Sequence, residues 1–288
     1  MADLSSEVLE VEKDGRVATL WLDRAERRNA MGTAFFTDLP RAMEAISSDP
    51  GVRAVVIAAR GKDFTVGLDL REMADLLSEE TGAGTQSQPD GAPGGTPSMA
   101  ARAWVARASI LRLQRSISSV AECPKPVIAA VHGHCIGGGV DLIAACDIRL
   151  ASSDASFSVR ETRVAIVADL GSLQRLPRII GAGHVAELAF TGRDVDAERA
   201  QDIGLVNNVF STQEELIQGA RALAGEIAGN SPLVVQGVKA VLRASAGRSV
   251  ADGLDYVAAW NAGMLQSDDL VEAMMAFMEK RSPEFRGR

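Results

Sequence analysis

The chain has 288 residues, of which 47% are hydrophobic and 24% charged, so it can bury one large core or two modest ones. Its formal net charge of -8 argues against the clustered positive surface that general nucleic-acid binding requires. No apolar stretch in the sequence is as long as a membrane-spanning segment. We therefore expect a globular protein that binds neither nucleic acid nor membrane.

Cysteine usage and the two termini predict the compartment. Cys123, Cys135 and Cys146 are too few and too irregularly spaced for a disulfide framework, which is typical of a reducing environment. The N-terminus lacks the basic start and apolar core of a signal peptide. The C-terminal residues EFRGR do not match a peroxisomal address of the SKL type. Together these features predict a cytoplasmic protein.

The first part of the chain alternates strand and helix patterns. Residues 17–23 (VATLWLD) predict a strand, and apolar residues then recur at helical spacing from Phe35 to Ile46. Pro40 lies inside this pattern, so we expect the helix to kink there or to start later. Residues 49–60 (DPGVRAVVIAAR) predict a turn followed by a strand that is buried on both faces of a sheet.

A segment rich in glycine and proline follows. Residues 82–98 contain five glycines, three prolines and no large apolar side chain, and they predict a flexible insertion. After it the patterns predict a helix at 101–122, a strand at 126–131, a helix at 138–145 and a strand at 146–152.

The last third of the chain has an almost entirely helical pattern, clearest at residues 214–229 and 268–281. Strand–helix alternation followed by helices predicts an α/β fold with a mostly parallel sheet layered by helices. We expect the core to occupy residues 1–210, including the flexible insertion, and a helical region to occupy residues 211–288.

Three consecutive glycines, Gly137 to Gly139, precede an aspartate that stands among apolar residues. The run lacks the GKS or GKT ending of a phosphate loop and does not match GxGxxG, so a nucleotide site is disfavoured. By itself it can simply permit close packing. A second glycine-containing turn, residues 66–69, follows the buried strand. The N–H groups of Leu68 and Gly138 can then converge on one oxygen, as in an oxyanion hole for a thioester that becomes an enolate.

Five segments together resemble the crotonase, or enoyl-CoA hydratase/isomerase, superfamily: LDRAERRNAM, GKDFTVGLDL, PKPVIAAVHGHCIGGGVDLIAACDIRLAS, LQRLPRIIG and AFMEKRSPEF. The resemblance implies a crotonase-like spiral of repeated ββα units with a C-terminal helical region used in trimerisation. It implies an acyl-CoA substrate, a homotrimer or a dimer of trimers, and oxyanion donors at Leu68 and Gly138. It also implies coenzyme A contacts at Arg27, Arg28, Val66, Asp69, Leu70, Phe277 and Lys280, the last two from a neighbouring subunit.

Because the superfamily shares the oxyanion hole and varies the acids, the reaction must be inferred from nearby carboxylates. Asp141 lies three residues after Gly138, Glu161 lies 20 after Asp141, and Asp169 lies eight after Glu161. Each has a structural alternative, since Asp141 can cap a helix, Glu161 can lie on a solvated edge, and Asp169 can open the next helix.

As a set, these carboxylates resemble those of a narrower group, the Δ3,5-Δ2,4-dienoyl-CoA isomerases. Hydratases of the superfamily typically have glutamate at the first position and glycine where Asp169 stands. The resemblance implies that Asp169 removes a proton at C2 and Glu161 adds one at C6, while Asp141 tunes the charge between them. Clustered carboxylates titrate as a coupled set, which keeps one of them protonated near neutral pH. The expected reaction belongs to fatty acid β-oxidation and uses no cofactor beyond the acyl-CoA substrate.

Two other functions stay open from the sequence. One is a trans-2-enoyl-CoA hydratase that uses Asp141 and Glu161 to activate water. The other is a crotonase-fold protein that binds acyl-CoA or RNA without catalysis. A metal site is not expected: His132 and His134 are two apart, as on one face of a strand, but no nearby cysteine or third histidine completes a ligand set.

Overall fold

The computed structural model describes residues 6–72 and 98–288. The strands are β1 Leu9–Asp14, β2 Val17–Leu22, β3 Ala54–Ala59, β4 Val127–Val131, β5 His134–Ile136, β6 Ile148–Ser152, β7 Ser156–Ser158, β8 Val195–Asp196 and β9 Asn208–Phe210. The α-helices are α1 Thr33–Ser48, α2 Met99–Glu122, α3 Gly138–Ala144, α4 Ser172–Arg175, α5 Ala182–Thr191, α6 Ala197–Asp202, α7 Gln213–Gly229, α8 Pro232–Ser245, α9 Val250–Met264 and α10 Asp268–Glu279.

The strands form a six-stranded sheet in the order β1-β2-β3-β4-β6-β9 and a three-stranded sheet in the order β5-β7-β8. In the larger sheet only the β1–β2 pair is antiparallel. Strand β3 has parallel neighbours on both sides and every residue buried, as its continuous apolar sequence predicts. The prediction of a mostly parallel sheet layered with helices is confirmed, while β1 and the smaller sheet were not predicted.

Helix α1 differs from its prediction at Pro40. The helix begins at Thr33, before the proline, and continues through it to Ser48, so the expected later start is wrong. Its apolar side, which includes Phe36, Leu39 and Met43, is fully buried. Burial of this side favours the helix by more than the one backbone hydrogen bond that a proline removes.

Two apolar clusters lie on the two faces of the larger sheet. One cluster joins alternate residues of β2 to β4 with the buried sides of α1, α2 and α3. In the other, Trp21, Val56 and Ile128 pack with a small-residue face of α7 that ends in Ala224 and Ala228. The sheet is therefore covered on both sides, and its ends and loops are left to form a site.

The C-terminal helices expose large apolar side chains, among them Leu242 on α8, Leu254 on α9 and Met274 on α10. The predicted helical C-terminal region is confirmed, while its use in a trimer and the boundary at residue 211 stay predictions. Within the described ranges, none of the helices has both the length and the apolar character needed to cross a bilayer.

Of the predicted insertion at 82–98, only Ser98 lies within the described residues, and the prediction of flexibility therefore falls outside them. Ser98 is the N-cap of α2, where its hydroxyl accepts a hydrogen bond from the N–H of Ala101 at 3.2 Å. The predicted end of this helix, before CPKP, is confirmed.

Candidate active site

The two glycine-containing turns singled out in the sequence lie side by side. The N–H of Thr65 donates to the carbonyl of His134 at 2.8 Å, and the N–H of Ile136 donates to the carbonyl of Thr65 at 3.1 Å. On the other side of the turn at residues 66–69, the N–H of Met31 donates to the carbonyl of Gly67 at 2.8 Å. These backbone bonds fix the position of one turn relative to the other.

Two N–H groups at this junction are available to a ligand. Among residues 6–72 and 98–288, neither the N–H of Leu68 nor that of Gly138 has a hydrogen-bond acceptor. The neighbouring N–H of Gly137 is occupied, since it donates to the carbonyl of Ser158 at 2.8 Å. A Cβ on Gly138 would lie 3.8 Å from Cδ2 of Leu68, so the two residues are in contact. This arrangement supports the predicted pair of oxyanion donors.

The close approach of the turns requires glycine at two positions. Gly67 has φ +88°, and a Cβ there would lie 2.7 Å from the carbonyl oxygen of Ile136. A Cβ on Gly139 would lie 2.5 Å from Cγ2 of Thr65. Close packing therefore explains Gly139 in the glycine run, whereas Gly138 contributes a free N–H.

We expect Gly67→Ala to lower the free energy of unfolding by about 2–4 kcal/mol and to reduce turnover, because it adds both left-handed strain and a steric clash. Gly15→Ala is the matched control, since Gly15 also has positive φ, +55°, but a Cβ there meets no atom within 4 Å. It should cost only about 1 kcal/mol. Chemical denaturation of both variants measures the difference, and equal losses would contradict the packing argument.

Asp141 lies in the first turn of α3 and is only 1% exposed. Its Oδ1 accepts a hydrogen bond from the N–H of Ser172 at 2.5 Å, and its Oδ2 has no hydrogen-bond partner in the described part of the chain. Burial raises the pKa of Asp141 to about 6, against the opposing effect of hydrogen bonding from Ser172. The N-cap of α3 is Gly137, so Asp141 does not cap this helix.

Glu161 begins a short 3-10 turn, Glu161–Val164. It faces the glycine run, since a Cβ on Gly137 would lie 3.4 Å from Glu161 Oε1. Its other oxygen, Oε2, is buried and has no hydrogen-bond partner among the described residues. Burial raises the pKa of Glu161 to about 7, and the charges of Asp141 and Asp169 add to the increase. Glu161 therefore does not lie on a solvated edge.

Asp169 is half-buried in the segment that leads into α4. Burial raises the pKa of its carboxyl group above the usual range. The N-cap of α4 is Gly171, so Asp169 does not open that helix. The charge of Asp169 raises the pKa of both Asp141 and Glu161. The structure therefore brings the three predicted acids into one electrostatically coupled set beside the glycine run.

The raised pKa of Glu161 predicts a pH-dependent stability. Folding raises the pKa of Glu161 from its ordinary value of 4.5 to about 7. Its contribution to stability is therefore fully present below pH 4.5 and is lost as the pH rises through 7. We expect Glu161→Gln, which cannot ionise, to be more stable than the wild type at pH 8 by about 1–3 kcal/mol, with a smaller difference at pH 5.

Chemical denaturation at pH 5 and pH 8 measures this difference. Glu44→Gln, on the exposed side of α1, is the control and should behave alike at both pH values. A Glu161→Gln variant whose stability relative to the wild type does not change with pH would contradict the raised pKa.

Five of the predicted coenzyme A contacts lie around the first turn. Arg27 and Arg28 are exposed, and the carbonyl of Arg28 accepts the N–H of Val66 at 3.2 Å. The carboxylate of Asp69 pairs with Arg24 at 3.3 Å, and the N–H of Asp69 donates to the carbonyl of Met31 at 3.0 Å, so both groups are already bonded within the chain. Leu70 is 57% exposed beside it.

Phe277 and Lys280 are separate from this group within one chain. Phe277 lies on α10 and is 85% exposed, and Lys280 follows the same helix in a left-handed conformation. In the described ranges no hydrogen bond or ion pair connects either side chain to the residues around the glycine run. A contact of these two residues with coenzyme A, through a neighbouring subunit, stays a prediction.

A buried hydrogen-bond network beside the turn at residues 66–69 was not predicted from the sequence. The side chain of Asn29 donates to the carbonyl of Asp63 at 2.8 Å, and the hydroxyl of Thr65 donates to the carbonyl of Asn29 at 2.6 Å. Arg28 and Asn29 both have φ +53°, which non-glycine residues rarely adopt. The adjacent letters RN in RRNAM are compatible with such a turn but do not reveal these long-range contacts.

His132 and His134 were predicted to share one strand face, and this is wrong. Gly133, with φ +55°, separates them, so only His134 belongs to a strand. His134 and Arg28 instead both form hydrogen bonds with the buried carboxylate of Asp63. The distance is 2.6 Å from His134 Nδ1 to Oδ1 and 2.6 Å from Arg28 Nε to Oδ2. Although burial opposes it, these hydrogen bonds lower the pKa of Asp63 to about 2.

Comparison with known proteins agrees with the fold. The chain matches the enoyl-CoA hydratase/isomerase family over residues 12–90 and 98–288. It is 44% identical to a peroxisomal Δ3,5-Δ2,4-dienoyl-CoA isomerase from Arabidopsis thaliana, over 97% of this chain and 96% of the relative. It is 46% identical to a mitochondrial Δ3,5-Δ2,4-dienoyl-CoA isomerase from Rattus norvegicus, over 90% of this chain and 76% of the relative.

A crystal structure of an enoyl-CoA hydratase from Bacillus anthracis has a TM-score of 0.84 and 29% identity, and the match covers 98% of this chain and 100% of that one. This likeness confirms the predicted crotonase-like fold. The prediction of a cytoplasmic location is wrong, because the isomerases just described are named peroxisomal and mitochondrial. Cysteine usage and terminal composition do not by themselves identify a compartment.

Relatives of this similarity, together with a match across most of the chain, confirm the predicted resemblance. The roles of Leu68, Gly138 and the three carboxylates in catalysis stay predictions. The chain therefore belongs to the enoyl-CoA hydratase/isomerase family, that is, to the crotonase superfamily.

Proposed function

We propose that this enzyme converts a 3,5-dienoyl-CoA into the 2,4-dienoyl-CoA within fatty acid β-oxidation. The observation that carries the proposal is the third carboxylate: Asp169 is coupled to Asp141 and Glu161 beside the glycine run. Hydration uses Asp141 and Glu161, whereas the double-bond shift needs a base at C2 and an acid at the more distant C6, for which Asp169 and Glu161 are proposed. Two relatives at 44% and 46% identity are named for this isomerisation.

The reaction begins at the thioester carbonyl, whose oxygen accepts the N–H groups of Leu68 and Gly138. Asp169, ionised, removes a proton from C2, and the electrons spread over C2 to C6 as a dienolate on the thioester oxygen. Glu161 then donates a proton to C6, which leaves double bonds at C2–C3 and C4–C5. One proton leaves the acyl chain and one returns, so the overall composition of the substrate is unchanged.

The acids are suited to these opposite roles. With a pKa of about 7, Glu161 retains its proton near neutral pH and can act as the acid. Burial raises the pKa of Asp141 to about 6, below that of Glu161, so Asp141 ionises before Glu161. Because the shift transfers protons and changes no oxidation state, we propose that the chemistry needs no cofactor.

Hydration of a trans-2-enoyl-CoA is the second candidate. It is favoured by the structural likeness to an enoyl-CoA hydratase and by the pair Asp141 and Glu161, which could activate water. The difference between the candidates is the place of Asp169, which hydration leaves without a role. A binding function without catalysis has no comparable support, because the relatives described above are named as enzymes.

Parallel assays of the wild-type protein distinguish these candidates. One assay follows the ultraviolet absorbance of the conjugated product from a 3,5-dienoyl-CoA, and the other follows loss of a trans-2-enoyl-CoA to its 3-hydroxy product. We expect kcat/KM to be higher for the 3,5-dienoyl-CoA. A preference for the 2-enoyl substrate would overturn the proposal in favour of the hydratase.

We also propose that the exposed apolar sides of α8 to α10 form the contacts of a homotrimer or a dimer of trimers. The support is the number of large apolar side chains that these helices leave exposed in one chain. Sedimentation of the purified protein measures the assembly directly.

A further inference from the structure

The segment that contains Asp169 is hydrogen-bonded to helix α2. The side-chain amide of Gln114 on α2 donates to the backbone carbonyl of Asp169 at 2.6 Å. The next carbonyl, of Leu170, accepts NH1 of Arg175 at 3.2 Å, and NH2 of Arg175 donates to the hydroxyl of Ser118 at 3.0 Å. Two consecutive carbonyls of this segment are therefore bonded by side chains from α2 and α4.

The guanidinium of Arg175 lies directly over Gly171. Gly171 has φ +125°, and a Cβ at this position would collide with the guanidinium. The backbone N–H of Arg175 donates to the carbonyl of Gly171 at 2.9 Å, which closes the turn. A glycine is therefore required for Arg175 to fold back onto the segment that it holds.

The same turn connects Arg175 to the carboxylate set. Ser172, next to Gly171, donates its N–H to Oδ1 of Asp141 at 2.5 Å, so the turn that Arg175 closes also bonds Asp141. The charge of Arg175 lowers the pKa of Asp141, against the larger effect of burial. Among the interactions that shift the pKa of Glu161, by contrast, the charged partners are two anions, Asp141 and Asp169.

We propose that Arg175 is a positioning residue: together with Gln114 it clamps the Asp169 segment against α2, and so fixes where Asp169 stands relative to C2. The proposal rests on the isomerase function proposed above. The clamp does not require Arg175 to touch the substrate.

Weakening the clamp should lower kcat much more than it changes KM. The predicted oxyanion donors and coenzyme A contacts lie outside the clamp and still bind the substrate, while the base is misplaced relative to C2. A residue that only stabilised the fold would instead leave kcat and KM of the folded enzyme unchanged.

The experiment compares four variants of the full-length protein with the wild type, using a 3,5-dienoyl-CoA. Arg175→Met removes both hydrogen bonds of this side chain, and we expect it to lower kcat about 100-fold with little change in KM. Arg175→Lys can keep one of the two bonds and should recover part of kcat. Gln114→Met removes the bond to the carbonyl of Asp169 and should lower kcat about tenfold, an effect of misplacing a base. Arg178→Met, an exposed arginine three residues further on, is the control.

An unchanged kcat in folded Arg175→Met, or a loss that appears in KM alone, would overturn the role of Arg175 in the clamp. An unchanged kcat in Gln114→Met would overturn the role of Gln114, and this variant keeps the proposal testable if Arg175→Met does not fold. Lack of turnover by the wild type itself would instead contradict the isomerase function. The two failures are therefore distinguishable.

Discussion

Replacing Asp169 with asparagine is expected to lower kcat for a 3,5-dienoyl-CoA by about 100- to 10,000-fold, the range that a general base contributes. Asparagine has nearly the same shape and leaves the backbone carbonyl free to accept the Gln114 amide, so the segment should keep its position. What is lost is the group that removes the C2 proton in the proposed mechanism. Absorbance of the conjugated product in the ultraviolet measures the rate.

The size of this effect also separates the two candidate functions. If the enzyme were mainly a hydratase, Asp141 and Glu161 would suffice and Asp169→Asn would retain much of its activity. Asp38→Asn, a partly exposed aspartate on α1, is the matched control and should keep wild-type turnover. Full isomerase activity in a folded Asp169→Asn variant would show that another group is the base.

Replacing Gly138 with proline is expected to lower kcat roughly 100- to 1,000-fold, the effect of deleting one oxyanion donor. Proline has no N–H, and position 138 is the first residue of α3, where proline is tolerated in helices. The substitution therefore removes the proposed donor with little direct cost to the helix. The loss should apply to 3,5-dienoyl and 2-enoyl substrates alike, because both reactions form an enolate.

Gly138→Ala is the control for added bulk. It keeps the N–H and introduces a Cβ that lies 3.2 Å from Sδ of Met31, a flexible side chain that can shift. We expect it to retain most of its activity. If alanine and proline impaired catalysis equally in folded protein, crowding against Met31 would explain the effect and the oxyanion role of Gly138 would be contradicted.

The sequence predicted those parts of the molecule that depend on local patterns. Strand β3 is a continuous apolar run bounded by turns, and α7 and α10 have a clear helical period, so each was placed within a few residues. The two glycine turns were recognised because each follows a buried strand, and parallel strands bring their ends to the same edge of a sheet. Their adjacency therefore follows from topology.

Contacts between distant segments could not be predicted in the same way. Strands β5, β7 and β8 have only two or three residues each, too few for a period to be seen. The clamp between Gln114 and Asp169 joins residues 55 apart in the chain, and nothing in either local sequence indicates it. Arg175 was part of the quoted LQRLP segment, but its role depends on the left-handed turn at Gly171.

Pro40 shows the opposite case, in which a strong local rule was overridden. The helix runs through it because the buried side that includes Leu39 and Met43 packs against the core. The prediction of a cytoplasmic location was wrong for a different reason, because targeting depends on recognition signals that bear no relation to the fold.

The central claim is that two different carboxylates move two different protons, one from C2 to Asp169 and one from Glu161 to C6. Conversion of a 3,5-dienoyl-CoA by the wild-type enzyme in D₂O tests it most directly, with the product analysed by NMR. Because the proton on Glu161 exchanges with solvent before each turnover, we expect a 2,4-dienoyl-CoA that carries deuterium at C6. A product without deuterium at C6, or a 3-hydroxyacyl-CoA in its place, would contradict the claim.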